Sequence, residues 1–248
     1  MAKIYYMQLS TGIIGLVIFG MSLGCNSTKK ETITDETYPD VMVVGAMKNV
    51  MWKGELGSRI KLDSISNKTG LYGLGPEREL RGELLIIDGQ SYVSRVTSDS
   101  TITVGKSYEV SAPFFVYANV TKWNEIKLPS TIKSIQDLDK FIDEHTAEYK
   151  RPFAFKLDGT VSKATIHVQD LPEGTKVSSP ADAHQGQFNE ELENQEVAIV
   201  GFFSTEHKGI FTHHDSNVHM HLITKDKLKM GHLDVLAMDQ MTLYLPTK

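Results

Sequence analysis

The chain has 248 residues, of which 40% are hydrophobic and 23% are charged, so it can bury a substantial core in one large domain or in two closely joined halves. Its formal net charge of −5 argues against binding to nucleic acid, because phosphate contacts need clustered Lys and Arg side chains. Cys25 is the one cysteine of the sequence, which excludes a disulfide framework.

The first 25 residues are predicted to be an export signal that lies outside the fold. Lys3 supplies a positive charge, and the apolar run at residues 12–23 has the length of a signal-peptide core but is short for a membrane span. A small residue, Gly24, precedes Cys25 at the end of the apolar run, a pattern that resembles a bacterial lipoprotein signal, in which the cysteine is lipidated and becomes the new N-terminus. An uncleaved anchor, or a secretory signal with an incidental cysteine, is the alternative.

The polar segment at residues 26–40 is predicted to be a flexible tether between that signal and the folded part. With a lipid on Cys25, the protein is expected to be exported and anchored to a membrane, on the periplasmic side or at the cell surface. Residues 41–248 then form the folded domain.

From residue 41 onward the sequence predicts a strand-rich α+β fold, with mixed or antiparallel sheets in two closely joined halves and few helices. Runs of β-branched and aromatic residues bounded by turn residues indicate strands at residues 41–46, 83–93, 114–120, 153–157, 196–203, 219–224 and 242–245. Asp88-Gly89 predicts a hairpin turn inside the second run. One helix is predicted to begin at Ser134, where Asp137 completes a capping box, and Pro152 limits its extent.

Three histidines near the C-terminus have a spacing that suits a metal site. His219 and His221 alternate along a predicted strand, so their side chains share a face about 7 Å apart, and two imidazoles at that separation can converge on one ion. The polar segment that follows ends in Gly231, as a hairpin connection would, and could return His232 beside the first pair. Three histidines with an open position are typical of a catalytic zinc site. Two polar residues on a solvated strand face are the alternative.

Other histidines of this region are interpreted differently. His207, His213 and His214 are predicted to lie on a loop surface or in the layer behind the ligands. A metal oxygenase of the cupin type also uses two histidines two residues apart on a strand, but it needs a Glu about four residues later, and residues 222–226 contain none.

Four segments resemble the alpha-acetolactate decarboxylase family and follow the family's order, and the likeness extends over most of residues 42–246. They are GLGPERELRGELLIIDG at residues 73–89, RPFAFKLDGT at residues 151–160, GFFSTE at residues 201–206, and the histidine pair followed by Gly-His eleven residues later. The resemblance implies that His219, His221 and His232 bind zinc, or another divalent first-row metal, and that Glu83 is an active-site carboxylate.

The resemblance also implies the reaction, which is decarboxylation of 2-acetolactate to acetoin and carbon dioxide. Zinc would provide the electron sink for this reaction, and a carboxyl group near the metal would deliver or relay a proton. It further suggests a homodimer.

The sequence departs from the family at three places that concern the substrate. His167 stands where the family has an Arg that binds the substrate carboxylate, and a histidine lacks the two-pronged donor geometry of Arg. Pro76 replaces a Thr near the substrate, and the chain ends at Lys248, before the tail in which the family has a second active-site Glu. Two alternatives therefore stay open: a zinc lyase acting on a different 2-hydroxy-3-oxo acid, and a non-catalytic surface lipoprotein that binds a metal or a small acid.

Overall fold

The computed structural model describes residues 40–98 and 101–247, together with Met1. Its strands are β1 (Met42–Val44), β2 (Ile60–Lys61), β3 (Leu71–Pro76), β4 (Glu83–Ile87), β5 (Gln90–Ser98), β6 (Thr101–Lys106), β7 (Ser111–Ala112), β8 (Phe115–Asn119), β9 (Trp123–Lys127), β10 (Phe153–Val168), β11 (Phe188–Phe203), β12 (Val218–Thr224) and β13 (Met230–Pro246). Its helices are α1 (Met47–Lys53), α2 (Ile135–His145) and α3 (Pro180–Ala183).

The predicted export signal, the lipidation site at Cys25 and the tether up to residue 39 lie outside the described residues, so these stay predictions. Within the part of the chain that is described, no helix has the length and apolar character needed to cross a membrane.

The strands form two main antiparallel sheets. The first has six strands in the order β1-β8-β3-β4-β5-β6, and the second has five in the order β10-β11-β12-β13-β9. Since β10 pairs with both β11 and β13, the strands β10 to β13 close into a ring of pairings. The predicted strand-rich α+β class with few helices is confirmed, and the named strands of the described residues pair antiparallel throughout.

The core lies between the two sheets and beneath α2. Tyr72 and Leu74 of β3 pack in one cluster with Ala154 of β10 and Val200 of β11. A larger cluster joins Phe141 and other apolar residues of α2 to the long strands of the second sheet. These contacts stabilise the second sheet on both of its faces, which holds the strands that carry the histidines in a fixed register.

Two local predictions are confirmed at the level of hydrogen bonds and dihedral angles. The Ser134 hydroxyl accepts from the Asp137 amide while the Asp137 carboxylate accepts from the Ser134 amide, and α2 begins at the next residue. Asp88 and Gly89 have φ values of 45° and 76°, as a two-residue hairpin turn requires, so β4 and β5 form the expected hairpin.

Three strands are much longer than the sequence predicts. The predicted runs at residues 153–157, 196–203 and 242–245 are the ends of β10, β11 and β13, which have 16, 16 and 17 residues. The remaining parts of these strands have polar residues on one face, and their sequences therefore resemble those of loops. In the structure that face is largely exposed and carries pairs such as Lys163 with Glu191, whose Nζ and Oε2 atoms are 3.3 Å apart.

Candidate functional site

Three neighbouring strands bring the predicted site histidines together. His219 and His221 lie on β12, His232 lies on β13 directly opposite His221, and His167 lies on β10 directly opposite His232. All four are buried, with exposed fractions of 7% or less. A solvated strand face, the alternative for the histidine pair, is therefore wrong.

The rings of His219, His221 and His232 form a nearly equilateral triangle. Their centres are 5.3 Å apart for His219 and His221, 5.0 Å for His219 and His232, and 5.5 Å for His221 and His232. With metal–nitrogen bonds of about 2 Å and tetrahedral geometry, the centres of imidazole rings that share one ion lie about 5 Å apart. The ring centres of this triad have the spacing expected around one divalent cation, whereas the ligand atoms that lie within 4.8 Å of one another among the described residues are those of His167, His232 and Asp234.

Ring nitrogens of the triad that lack hydrogen-bond partners are also consistent with a metal site. Among the described residues, His219 Nδ1 and both ring nitrogens of His221 are buried without a hydrogen-bond partner, which is costly unless something else satisfies them. Burial lowers the pKa of His219 and of His221 well below the usual value, and the nearby His232 lowers both further. Both rings are thus held in the neutral form, which is the form that binds metals.

Glu83 begins β4 and lies under the triad. Its carboxylate oxygens are 3.6 Å from His221 Nε2 and 3.9 Å from His167 Nε2, and the residue is 2% exposed, so a surface salt bridge is excluded. Burial raises the pKa of the Glu83 carboxyl well above its usual value, although the Gln169 backbone amide opposes that shift. A carboxyl group that holds its proton here is able to donate it to a reacting atom.

Asp234 is a residue of this site that the sequence analysis missed. Its two oxygens accept hydrogen bonds from His167 Nδ1 at 2.7 Å and from His232 Nδ1 at 3.1 Å. Burial opposes ionisation of Asp234, but the hydrogen bonds from the two imidazoles outweigh it and lower the pKa of the carboxyl. The spacing of His232 and Asp234 could have indicated this role, because residues two apart on a strand share a face.

One ligand atom from each of His167, His232 and Asp234 lies within 4.8 Å of the other two, so this His/Asp cluster is able to hold a metal ion. Both contacts that Asp234 makes, however, are hydrogen bonds to Nδ1 atoms, and the one from His167 has the length of a charge-assisted bond. They direct the Nε2 atom of each ring away from Asp234. A carboxylate in that position orients a histidine ligand whose other nitrogen faces the ion.

Gly231 has a different role from the one predicted. It lies inside β13, opposite Leu222, and not in the hairpin connection. A Cβ atom added at Gly231 would lie 2.3 Å from the backbone oxygen of His167. The absence of a side chain therefore lets β13 pass close to β10, which places His232 beside His167.

His213 was predicted to lie on a loop surface or behind the ligands. In the structure it lies on an exposed loop and also contacts one of the predicted ligands. It lies between β11 and β12 and is exposed, yet its Nε2 is 3.2 Å from His232 Nε2. With Pro76, Glu83, His167 and the buried triad members His219 and His232, it lines a cavity of about 30 Å³. The imidazoles and the Glu83 carboxyl thus line one small cavity.

One known protein family matches most of the folded part of the chain. A family model described as alpha-acetolactate decarboxylase matches residues 44–247. The chain belongs to the alpha-acetolactate decarboxylase family. The enzymes of this family are carboxy-lyases, and the resemblance drawn from the sequence motifs is confirmed.

Relatives with the same description come from an archaeon and from bacteria. An alpha-acetolactate decarboxylase of Methanosarcina mazei is 30% identical over 69% of this chain, and that match spans 57% of the archaeal protein. The Brevibacillus brevis alpha-acetolactate decarboxylase is 26% identical over 95% of this chain and 85% of its own length.

A solved structure supports the fold. The crystal structure of alpha-acetolactate decarboxylase from Bacillus subtilis strain 168 superposes with a TM-score of 0.67 and 24% identity, and covers 84% of this chain and 86% of that one. At that identity, the superposition establishes that the two chains share the decarboxylase fold.

Proposed function

We propose that this family member decarboxylates 2-acetolactate to acetoin and carbon dioxide, using a divalent cation held by His219, His221 and His232. The observation that carries the proposal is the triad of buried, neutral imidazoles, 5.0 to 5.5 Å apart between ring centres, with a buried carboxyl group beside it. Zinc suits three nitrogen ligands with an open position, and other first-row ions fit the same donors.

The reaction breaks the bond between the carboxylate carbon and the carbon that carries the hydroxyl group. Carbon dioxide leaves, and the electron pair left behind must be accommodated until a proton reaches carbon. A cation bound by the triad would supply the electrostatic stabilisation of that developing charge.

In this proposal His167 binds the carboxylate of the substrate. Its Nδ1 donates to Asp234, which fixes the ring and turns Nε2 toward the cavity, where Glu83 Oε1 lies 3.9 Å away. A protonated Nε2 would donate one hydrogen bond to a carboxylate, with Asp234 balancing the positive charge. One donor holds a carboxylate less firmly than the paired donors of Arg do, so we expect weaker substrate binding than an Arg would give.

In this proposal Glu83 supplies the proton. Its oxygens lie between His221 and His167, and the residue lines the cavity. One proton is consumed for each carbon dioxide released, and a buried carboxyl group in contact with the cavity is able to deliver it to carbon and recover it from solvent.

The test uses the full-length chain, stripped with a chelator and reloaded with zinc. Acetoin formation from racemic 2-acetolactate is measured for the parent, for His219→Ala, and for His214→Ala as a matched exposed histidine. We expect turnover by the parent and by His214→Ala, and none by His219→Ala. Zinc binding by the parent without acetoin formation would reject the decarboxylase and favour a binding protein or a lyase for another 2-hydroxy-3-oxo acid.

We also propose that the protein is exported and anchored to a membrane by a lipid on Cys25, facing the periplasm or the cell surface. The apolar run at residues 12–23 and the polar segment at residues 26–40 support this. Incorporation of labelled palmitate and recovery in the membrane fraction should both be lost in Cys25→Ser. A parent protein that takes up no label contradicts the proposal.

From the family resemblance we further propose that the protein is a homodimer. Light scattering on the purified protein should then report twice the mass of one chain, and the mass of a single chain would reject the dimer.

A further inference from the structure

Two cavities meet at the candidate metal site. The inner one, of about 30 Å³, adjoins Glu83, His167 and His219. The outer one, of about 210 Å³, is lined by residues that include Gln136, Asp215 and Asp234. His213 and His232 line both cavities. These two imidazoles therefore form the partition between the outer cavity and the inner site.

The two halves of this partition differ in how firmly they are held. His232 lies within β13, pairs with strands on both sides, and donates a hydrogen bond to Asp234. His213 lies in the connection between β11 and β12, outside any named strand, and is exposed to solvent. Its ring can move without breaking a strand pairing, whereas the ring of His232 cannot.

The position of the His213 ring suits a fourth ligand. Its Nε2 is 3.2 Å from His232 Nε2, and two nitrogens that bind one tetrahedral ion through bonds of about 2 Å lie a little over 3 Å apart. Its ring centre is 5.2 Å from that of His232 and 6.2 Å from that of His219, against 5.0 to 5.5 Å within the triad. His213 thus lies at the side of the triad that faces the outer cavity.

We propose that His213 is a displaceable fourth ligand, which closes the metal site in the resting protein and leaves it when a small hydroxy or oxo acid enters from the outer cavity. This inference rests on the metal site of the proposed function, but not on turnover. The inner cavity, of about 30 Å³, has room for about one or two water molecules, and movement of His213 would enlarge it for such an acid.

Displacement predicts two effects of opposite sign when His213 is removed. The ion loses a ligand, so its affinity should fall by about tenfold or more. A small acid no longer has to displace the imidazole, so its affinity for the loaded protein should rise. A residue with a merely structural role would weaken both.

The experiment uses the full-length protein loaded with Co²⁺, whose visible absorption reports the number and geometry of its ligands. Metal affinity is measured by competition with a chelator for the parent, His213→Ala, His213→Gln and His214→Ala. The acid probe is 2-hydroxyisobutyrate, which has the carboxylate and tertiary hydroxyl of 2-acetolactate but no keto group. The Gln variant keeps a donor that can reach His232 Nε2 and lacks an imidazole.

We expect His213→Ala and His213→Gln alike to change the Co²⁺ spectrum, to weaken Co²⁺ binding and to bind the probe more tightly, while His214→Ala matches the parent. Parent-like spectra and affinities in both His213 variants would overturn the inference. So would restoration by Gln alone, because the role of His213 would then be a hydrogen bond to His232. A parent that binds no Co²⁺ would reject the proposed metal site and this inference together, whereas a parent that binds Co²⁺ but forms no acetoin would reject only the proposed reaction.

Discussion

His167 and His232 stand directly opposite each other on β10 and β13, with their rings stacked 4.5 Å apart between centres and 26° from parallel. One carboxylate, that of Asp234, accepts a hydrogen bond from Nδ1 of each ring. The family resemblance assigns His232 to the metal, and His167 stands in the position of the substrate-binding Arg. Asp234 therefore orients a metal ligand and a substrate-binding residue at the same time. A change at Asp234 is expected to affect both metal binding and substrate binding.

Asp234→Asn should weaken metal binding by about 10- to 100-fold, because an amide cannot accept from both Nδ1–H groups as a carboxylate does. The value of KM for 2-acetolactate should rise in the same variant. The measurements are chelator competition and steady-state kinetics. Asp239→Asn, at an exposed position of the same strand, is the control and should match the parent. Unchanged metal affinity in Asp234→Asn would contradict the role of Asp234 in orienting His232.

Glu83→Gln should retain the metal and lose about 10²- to 10⁴-fold in kcat, since the amide fills the same space but has no proton of suitable acidity to deliver. Metal content by elemental analysis and single-turnover acetoin formation separate the two effects. Glu125→Gln, which changes an exposed carboxylate of β9, serves as the control. Loss of the metal along with the activity would show that Glu83 supports the ion instead of the proton transfer.

Gly231→Ala should destabilise the protein by about 1–3 kcal/mol, because the added methyl group would meet the His167 carbonyl oxygen at 2.3 Å and force β13 away from β10. The measurement is chemical denaturation of the metal-free protein. The matched control is Gly57→Ala, where an added Cβ has no atom within 4 Å. Equal free energies of unfolding for the two variants would contradict the close approach of the strands.

The capping box of α2 predicts a pH dependence of stability. Hydrogen bonds from the Lys133 amide and from the Ser134 hydroxyl and amide lower the pKa of Asp137 in the folded protein below the value of 3.8 expected when unfolded. The folded carboxylate therefore binds protons less readily, so its stabilising effect is present above about pH 4 and is lost as the pH falls through the lowered folded pKa.

The difference in free energy of unfolding between the parent and Asp137→Asn should follow that pattern. It should be constant from pH 7 to pH 5 and shrink at lower pH, as measured by denaturation at each pH. A difference that stays constant down to the lowest pH at which the protein folds would contradict the role of the charge.

Local features of the fold were predictable because they depend on neighbouring residues. The Asp88-Gly89 turn and the cap at Ser134 follow from backbone preferences over a few positions. The common face of His219 and His221 follows from the two-residue period of a strand. The lengths of β10, β11 and β13 were not predictable, since their polar outer segments are held as strands by pairing with each other and not by their own composition.

The sequence by itself determined the family, the strand-rich class and the common face of His219 and His221, because each is encoded by residue types at short and fixed spacings. Only the tertiary structure decided that Glu83 lies beneath His221, that Asp234 joins His167 to His232, and that His213 faces His232 Nε2. These contacts cross between strands or reach in from a loop, so they depend on the register of pairing and on packing between sheets. The spacing of residues along one segment specifies neither the register of strand pairing nor the packing between sheets.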